Sequence, residues 1–252
     1  MENGTRIKME NEKEKEVVPV VQPEPEKVEV TKYHIREVIP KLKQENARLI
    51  RKRYLETNMR EYLLQIEPIE LQQKYLELHD AYPAFRKLCA GAKHHHWWVG
   101  GLDQHCCEML GMGLDIMELY PGDFTFSKTD LIITIFLHDF AKVWLYREIT
   151  DEDRQRNSKK FLPAQVFTYR ENVYDILTPE AKTAVELMKR GIPTTEEQWS
   201  AVCFAEGGFS SEHFGFGRAV TTSESVYKRN PLATFTAMLD SYSSQILGRS
   251  LI

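Results

Sequence analysis

The sequence predicts an all-α protein in which a helical bundle follows a disordered N-terminal tail. From residue 61 onward, apolar residues recur at intervals of three and four, which is the spacing of one face of a helix. The alternation of Val, Ile and Thr that marks strands is scarce, and Pro and Gly residues separate the periodic stretches. We therefore expect helices over 66–89, 102–120, 128–147, 179–190, 195–206 and 231–247.

Composition and charge exclude several classes of protein. The 252 residues are 42% hydrophobic, which is enough for a core and excludes global disorder. The net charge of −4, from 33 basic and 37 acidic residues, excludes wholesale coating of nucleic acid. No apolar run approaches the roughly 18 residues that span a bilayer, and the charged N-terminus lacks the apolar stretch of a cleavable signal. Because the four cysteines are few and irregularly spaced, a disulfide framework is not expected. We therefore expect a cytoplasmic protein without a membrane partner.

Three parts differ in composition along the chain. Residues 1–31 contain eight acidic and five basic residues and no aromatic residue, which predicts a disordered tail. Residues 32–79 are predicted to form a basic helical extension, since residues 32–60 hold nine Lys or Arg against three Glu. This basic stretch is open to two interpretations, a weak contact with nucleic acid or a solvated helix face. Residues 80–252 form the remaining helical domain.

A His-Asp pair follows the most apolar run of the chain and is the first candidate for chemistry. The run 131–137 predicts a buried helix, and the ionised Asp139 beside it is costly to bury unless a cation compensates its charge. A divalent metal ion supplies that compensation, and imidazole nitrogen with carboxylate oxygen suits Mn, Fe, Co, Ni, Zn or Mg. The alternative is that His138 is a satisfied core histidine and Asp139 lies at a helix bend.

Two further residues extend the pair to a set of four. His105 lies one turn into the preceding predicted helix, and a short connection between antiparallel helices brings it opposite His138. Asp240 interrupts an otherwise apolar helix near the C-terminus. Four such groups on three buried helices favour one octahedral metal site with two positions open to water and substrate.

Three segments resemble motifs of one family. In chain order, GGLDQHCCEM, FLHDFAK and NPLATFTAMLDSYSSQ resemble the GGL-x-x-H, LLHD-x-(G/A)-K and closing NPLA…AD motifs of the HD-domain superfamily of metal-dependent phosphohydrolases. The resemblance covers roughly residues 80–247 and implies an HD-type domain over 80–252. The metal ligands that it implies are His105, His138, Asp139 and Asp240.

The chain also departs from the two-metal members of that family. Such members carry additional histidines between the His-Asp pair and the last Asp, one of them in an HH-G or HMGG turn. Here Ala205 and Glu206 occupy the matching turn, FAEGGF, and no histidine lies near Thr178. We therefore expect one divalent metal ion as cofactor, without a basis for choosing among Mn, Co, Ni, Fe, Mg and Zn.

Five further residues are candidates around the predicted metal. Lys142 follows His138 by four residues, so it is expected to face the same cavity and to neutralise phosphate charge. Glu206, in the turn that the family places beside the metal, is a candidate general acid or base. Candidate substrate-binding residues are Arg147, Arg218 in a glycine-containing loop, and His96, which matches a histidine of nuclease-like and nucleotidase-like members. The catalytic set is completed by Asp139, which is able to orient a water as a base.

The resemblance implies a metal-dependent phosphohydrolase that acts on a phosphate ester of a nucleotide, with a metal-activated water as nucleophile. The substrate expected is a nucleoside mono- or triphosphate or a phosphodiester. Two alternatives stay open. One is a catalytically degenerate domain that binds a nucleotide or a partner, and the other is a nuclease whose basic segment 32–60 guides a strand to the site.

Overall fold

The computed structural model describes residues 54, 56–92, 95–156, 159–162, 164–171, 179–205 and 229–248. All of them belong to the compact unit Leu42–Ile252. The predicted tail 1–31 and almost all of the basic stretch 32–60 lie outside the described residues.

The predicted helical class is confirmed, since helices make up most of the described chain. They are α1 (Met59–Leu63), α2 (Ile69–Ala81), α3 (Gly101–Leu119), α4 (Lys128–His138), α5 (Lys142–Leu145), α6 (Asp151–Arg156), α7 (Pro179–Lys189), α8 (Glu196–Phe204) and α9 (Pro231–Tyr242). A 3-10 turn, Pro83–Arg86, follows α2, and a π-helical turn, Ser243–Leu247, continues α9. None of the helices in the described ranges combines the length and apolar character that a bilayer crossing needs.

The centre of the bundle is α4. It begins with a capping box, in which the Ser127 hydroxyl accepts from the Asp130 amide and the Asp130 carboxylate accepts from the Ser127 amide. Every residue from 131 to 138 is buried, as expected of a helix that is apolar on all sides. This helix packs against α3, α8 and α9, while Phe136 lies 5.2 Å from Phe85 and 5.3 Å from Phe140 between ring centroids. The core therefore surrounds the element that ends in the His-Asp pair.

The predicted helix 128–147 is wrong in its second half. The helix ends at His138, and Asp139 has φ −111° and ψ 5°, outside the helical range. A short helix starts again at Lys142, and the chain is extended from Tyr146. Adjacent residues of a continuous helix point about 100° apart, so this interruption is what allows His138 and Asp139 to face the same space.

Other elements also differ from the sequence-based expectation. The predicted helix 66–89 divides at Tyr82, because the residue before a proline disfavours helical geometry and Pro83 follows. Two strands, β1 (Tyr146–Glu148) and β2 (Phe167–Tyr169), pair antiparallel with Arg147 opposite Thr168. Strands of three residues are too short for a pattern of alternation to reveal them.

Two glycines shape the start of α3. Gly100 has φ +80°, a conformation that L side chains rarely adopt. At Gly101 the backbone passes so close to its neighbour that a Cβ would lie 1.9 Å from the His96 carbonyl oxygen. The loop carrying His96 is thereby held against the helix that carries His105.

We expect Gly101→Ala to lower the Tm by several degrees or more, because the clash is with backbone and cannot be relieved by a side-chain rotation. Thermal unfolding monitored by circular dichroism measures the effect. The matched control is Glu118→Ala, at an exposed position of the same helix, which should change the Tm little. Equal Tm values for the two variants would contradict the close approach.

Candidate metal centre

Three helices bring together the four side chains that the sequence motifs single out. His105 lies on α3, His138 is the last residue of α4, Asp139 follows it, and Asp240 lies on α9. The side chains of both histidines are fully buried, and that of Asp139 is 3% exposed. The structure thus places two imidazoles and two carboxylates in one space, while their role as metal ligands stays a prediction.

The distances between the polar atoms are short. Nε2 of His105 lies 3.4 Å from Nε2 of His138, 3.7 Å from Oδ2 of Asp139 and 3.1 Å from Oδ1 of Asp240. Nε2 of His138 lies 3.5 Å from the same oxygen of Asp139. His105, His138 and Asp139 each offer one ligand atom within 4.8 Å of the others, and Asp240 joins them through His105. Ligands about 2.0–2.2 Å from one ion are spaced in this way.

Hydrogen bonds at Nδ1 orient both imidazoles. Nδ1 of His138 lies 2.6 Å from the Ile135 carbonyl oxygen, which only accepts hydrogen bonds, so Nδ1 carries a proton. Burial lowers the pKa of His105 well below its ordinary value, which keeps this imidazole neutral. Its Nδ1 lies 2.9 Å from the Ser243 hydroxyl. Nε2 of His105 therefore faces the His138 ring nitrogen and two carboxylate oxygens, an arrangement that a divalent cation would satisfy.

One basic side chain lies in the centre. Nζ of Lys142 donates to Oδ2 of Asp139 at 2.5 Å. Burial by itself raises the pKa of Asp139, but the Lys142 ammonium lowers it, and overall the pKa lies below its ordinary value, so this carboxylate is ionised. The predicted proximity of Lys142 to the centre is present, although it arises from an interrupted helix and a contact to Asp139 rather than from one continuous helix turn.

The centre is accessible from one side. The side chain of Asp240 is 17% exposed and that of Lys142 is 12% exposed, whereas both histidine side chains are fully buried. A separate surface cavity of about 390 Å³ lies at the other end of α4, beside Asp130, and none of the four clustered residues lines it. The side of Asp240 and Lys142 is therefore the more open side of the centre.

The remaining predicted site residues are placed differently. His96 is fully buried, and its Nε2 lies 2.8 Å from a carboxylate oxygen of Glu108. Arg147 makes a two-pronged ion pair with Asp153. Glu206 and Arg218 lie outside the described residues. The structure thus gives His96 and Arg147 protein partners, and their substrate-binding roles stay predictions.

Two residues near the centre, Glu108 and Ser243, were not anticipated as parts of it. Glu108 and Ser243 are buried polar residues behind His105, and His95 lies with its ring 5.1 Å from the ring of His105. A glutamate inside the apolar stretch around Cys107 and Met109 was a signal that could have drawn attention to it. Nothing in the sequence indicates that Ser243 contacts His105.

We expect Co²⁺ or Mn²⁺ to raise the Tm of the full chain and EDTA to reverse the effect. A ligand that binds only the native state at 100 times its Kd stabilises that state by about 2.7 kcal/mol. Differential scanning fluorimetry measures the shift. Asp240→Asn should lose most of the shift in Tm. Asp115→Asn should keep the shift, because Asp115 lies on the same helix as His105 but its carboxylate accepts from the Tyr54 hydroxyl, away from the cluster. Equal shifts in both variants would argue against the centre.

Comparison with known proteins finds one local similarity. The chain is 42% identical over 60 residues to the 3'-5' exoribonuclease YhaM of Shouchella clausii (strain KSM-K16). The aligned stretch is 24% of this chain and 18% of that protein, so the chain spans less than a fifth of the relative's length. No protein-family model matches the chain, and no solved structure matches it. The buried His/Asp cluster and this partial similarity together suggest the class of metal-dependent hydrolases.

Proposed function

We propose that this protein is a phosphohydrolase of the HD-domain type, which uses one divalent metal ion to hydrolyse a phosphate ester of a nucleotide. The observation that carries the proposal is the convergence of two imidazole nitrogens and two carboxylate oxygens around one space. In that space, a bound divalent ion would lower the pKa of a coordinated water and polarise a phosphoryl oxygen.

The residues of the chain would divide the remaining work. His105, His138, Asp139 and Asp240 would hold the ion, and the two carboxylates would balance its charge. The ammonium of Lys142, beside Asp139 at the accessible side, would bind a phosphate oxygen and stabilise the charge that develops during displacement. The burial of both imidazoles would keep bulk water from that side of the reacting group.

A second candidate function is the removal of nucleotides from the 3' end of RNA. The similarity to an exoribonuclease favours it, since a 3'-terminal phosphodiester is also a phosphate ester of a nucleotide. The basic segment 32–60 would then contribute salt-dependent contacts to the strand.

A panel of substrates tests the proposal and separates the two candidates. The full chain is incubated with Mn²⁺, Co²⁺, Ni²⁺ or Mg²⁺ and with a nucleoside monophosphate, a nucleoside triphosphate, bis(p-nitrophenyl) phosphate or a 5'-labelled single-stranded oligoribonucleotide. Metal-dependent and EDTA-sensitive turnover of at least one substrate is the expected result. A ladder that shortens from the 3' end of the labelled RNA would select the second candidate. Metal binding without turnover of any substrate would favour a degenerate binding domain and contradict the proposal.

A further inference from the structure

A chain of buried hydrogen bonds runs from His105 away from the metal centre. Nδ1 of His105 lies 2.9 Å from Oγ of Ser243, and that hydroxyl lies 3.1 Å from Oε2 of Glu108. The same carboxylate oxygen lies 2.8 Å from Nε2 of His96. His105, Ser243, Glu108 and His96 are all fully buried, so these contacts take the place of water for each polar group.

The direction of the bond between Gln104 and Glu108 follows from one group that only donates. The indole nitrogen of Trp98 has no acceptor capacity and bonds to Oε1 of Gln104 at 2.9 Å. The amide nitrogen of Gln104 must then point the other way, and it donates to Oε1 of Glu108 at 2.9 Å. Glu108 thus accepts from Gln104 on one oxygen and faces His96 and Ser243 with the other. Gln104, His96 and Ser243 are each able to donate a hydrogen bond, which suits an ionised Glu108 carboxylate.

The single proton of the Ser243 hydroxyl determines which nitrogen of His105 is protonated. Because an ionised Glu108 only accepts, Ser243 uses its proton on Glu108 and offers a lone pair to His105. Nδ1 of His105 must therefore carry the proton of the neutral ring. Nε2, the atom that faces His138 and Asp240, is left with its lone pair.

We propose that Glu108, acting through Ser243, is a positioning residue that holds the proton of His105 on Nδ1 and keeps Nε2 free for a divalent cation. The inference rests on the proposed function for the identity of the ligand, although the position of the proton is a property of the metal-free chain. Hydrogen bonds from a ligating histidine to a carboxylate fix its tautomer and raise its basicity, and their loss weakens metal binding by about 10- to 100-fold. In this protein the Ser243 hydroxyl lies between the His105 ring and the Glu108 carboxylate.

The hydrogen-bonded series from His105 through Ser243 to Glu108 is called the relay. The surroundings of Glu108 hold this relay in one arrangement. Nε2 of His96 lies 2.8 Å from Oε2 of Glu108, which holds that ring from the other side. The ring of His96 is also confined by Gly248, where a Cβ would lie 2.7 Å from its Nδ1. Since Glu108 cannot turn away without leaving His96, Ser243 and Gln104, the direction of the relay is determined by packing as well as by hydrogen bonding.

The first experiment reads the proton position directly in the metal-free protein. Long-range ¹H–¹⁵N correlation spectra distinguish the Nδ1–H from the Nε2–H tautomer of His105. We expect the Nδ1–H form in the wild type. In Glu108→Gln, an amide group that donates toward Ser243 would reverse the hydroxyl and increase the Nε2–H form. A wild-type His105 in the Nε2–H form would overturn the proposal, and this measurement needs no variant to fold.

The second experiment measures Co²⁺ affinity by titration of its visible absorption. Ser243→Ala and Glu108→Gln should each weaken Co²⁺ binding by about 10- to 100-fold. The matched control is Ser244→Ala, since Ser244 is the next residue, is also buried and bonds to the Ser241 carbonyl instead. Its affinity should stay within about threefold of the wild type, and thermal unfolding verifies that all variants are folded.

The outcomes separate the relay from the function on which it rests. If the wild type binds no Co²⁺, Mn²⁺, Ni²⁺ or Mg²⁺, the proposed function fails, while the tautomer spectra still decide whether Glu108 sets the proton. If the wild type binds Co²⁺ and both relay variants bind it equally well with an unchanged tautomer, the positioning role of Glu108 is refuted and the metal centre stands.

Discussion

Asp139→Asn is expected to reduce metal-dependent hydrolysis by about 100- to 1,000-fold, which is the usual effect of losing one stabilising electrostatic group at a reacting centre. The change keeps the shape of the side chain and removes the charge of a carboxylate that lies 3.5 Å from His138 and 3.7 Å from His105. It also leaves Lys142 without its ionised partner, and breaking such a buried pair costs about 3 kcal/mol.

The design of this experiment therefore includes the double variant Asp139→Asn/Lys142→Met, in which no unpaired ammonium remains. Because Lys142→Met lowers activity by itself, the double variant serves for thermal stability alone. If it regains stability while the folded Asp139→Asn variant is inactive, the loss belongs to the centre and not to misfolding. Asp115→Asn serves as a control for a carboxylate on α3 outside the cluster. Initial rates with the best substrate and metal of the panel are the measurement. Wild-type rates in the folded single variant would remove Asp139 from the reaction.

Lys142→Met is expected to move metal affinity and turnover in opposite directions. In the metal-free protein the ammonium lies 2.5 Å from Oδ2 of Asp139, the oxygen that also faces both imidazoles. Removal of this charge should tighten the binding of Co²⁺ or Mn²⁺, because two cations no longer compete for one oxygen. It should also lower kcat/KM by about 100-fold, because the phosphate group loses its cationic partner.

Opposite signs distinguish this role from general damage, which would weaken both properties. Isothermal titration of Mn²⁺ and initial rates on the same preparations provide the two numbers. Lys128→Met, at an exposed position at the other end of α4, is the control and should change neither. If Lys142→Met weakens Mn²⁺ binding, the ammonium does not compete with the cation and the interpretation of its contact with Asp139 is wrong.

The sequence predicted the helical class and the residues that come together, but not how they do so. The spacing of apolar residues predicted where α4 begins, and the motifs selected His105 and Asp240 from distant parts of the chain. The end of α4 was missed because the stretch from Phe136 to Tyr146 contains no Pro or Gly to mark it.

The buried hydrogen bonds next to the four clustered residues were harder still to predict. The contact between Glu108 and Ser243 joins residues 135 positions apart, and no local pattern encodes it. His96 is buried and contacts Glu108, whereas its match to a histidine of nuclease-like and nucleotidase-like family members suggested a substrate contact. Short-range periodicity reports which face of a helix is buried, but the hydrogen-bond partner of a buried polar group is decided by long-range packing.

The burial of the two imidazoles divides the centre into halves with different freedom to change. His138 terminates the helix around which the core is assembled, so any repacking beneath it also displaces a nitrogen of the cluster. Asp240 and Lys142 stand at the rim, where their side chains are 17% and 12% exposed. A substitution at the rim would therefore alter what meets the cluster from solvent, whereas a substitution under His138 would alter the cluster itself.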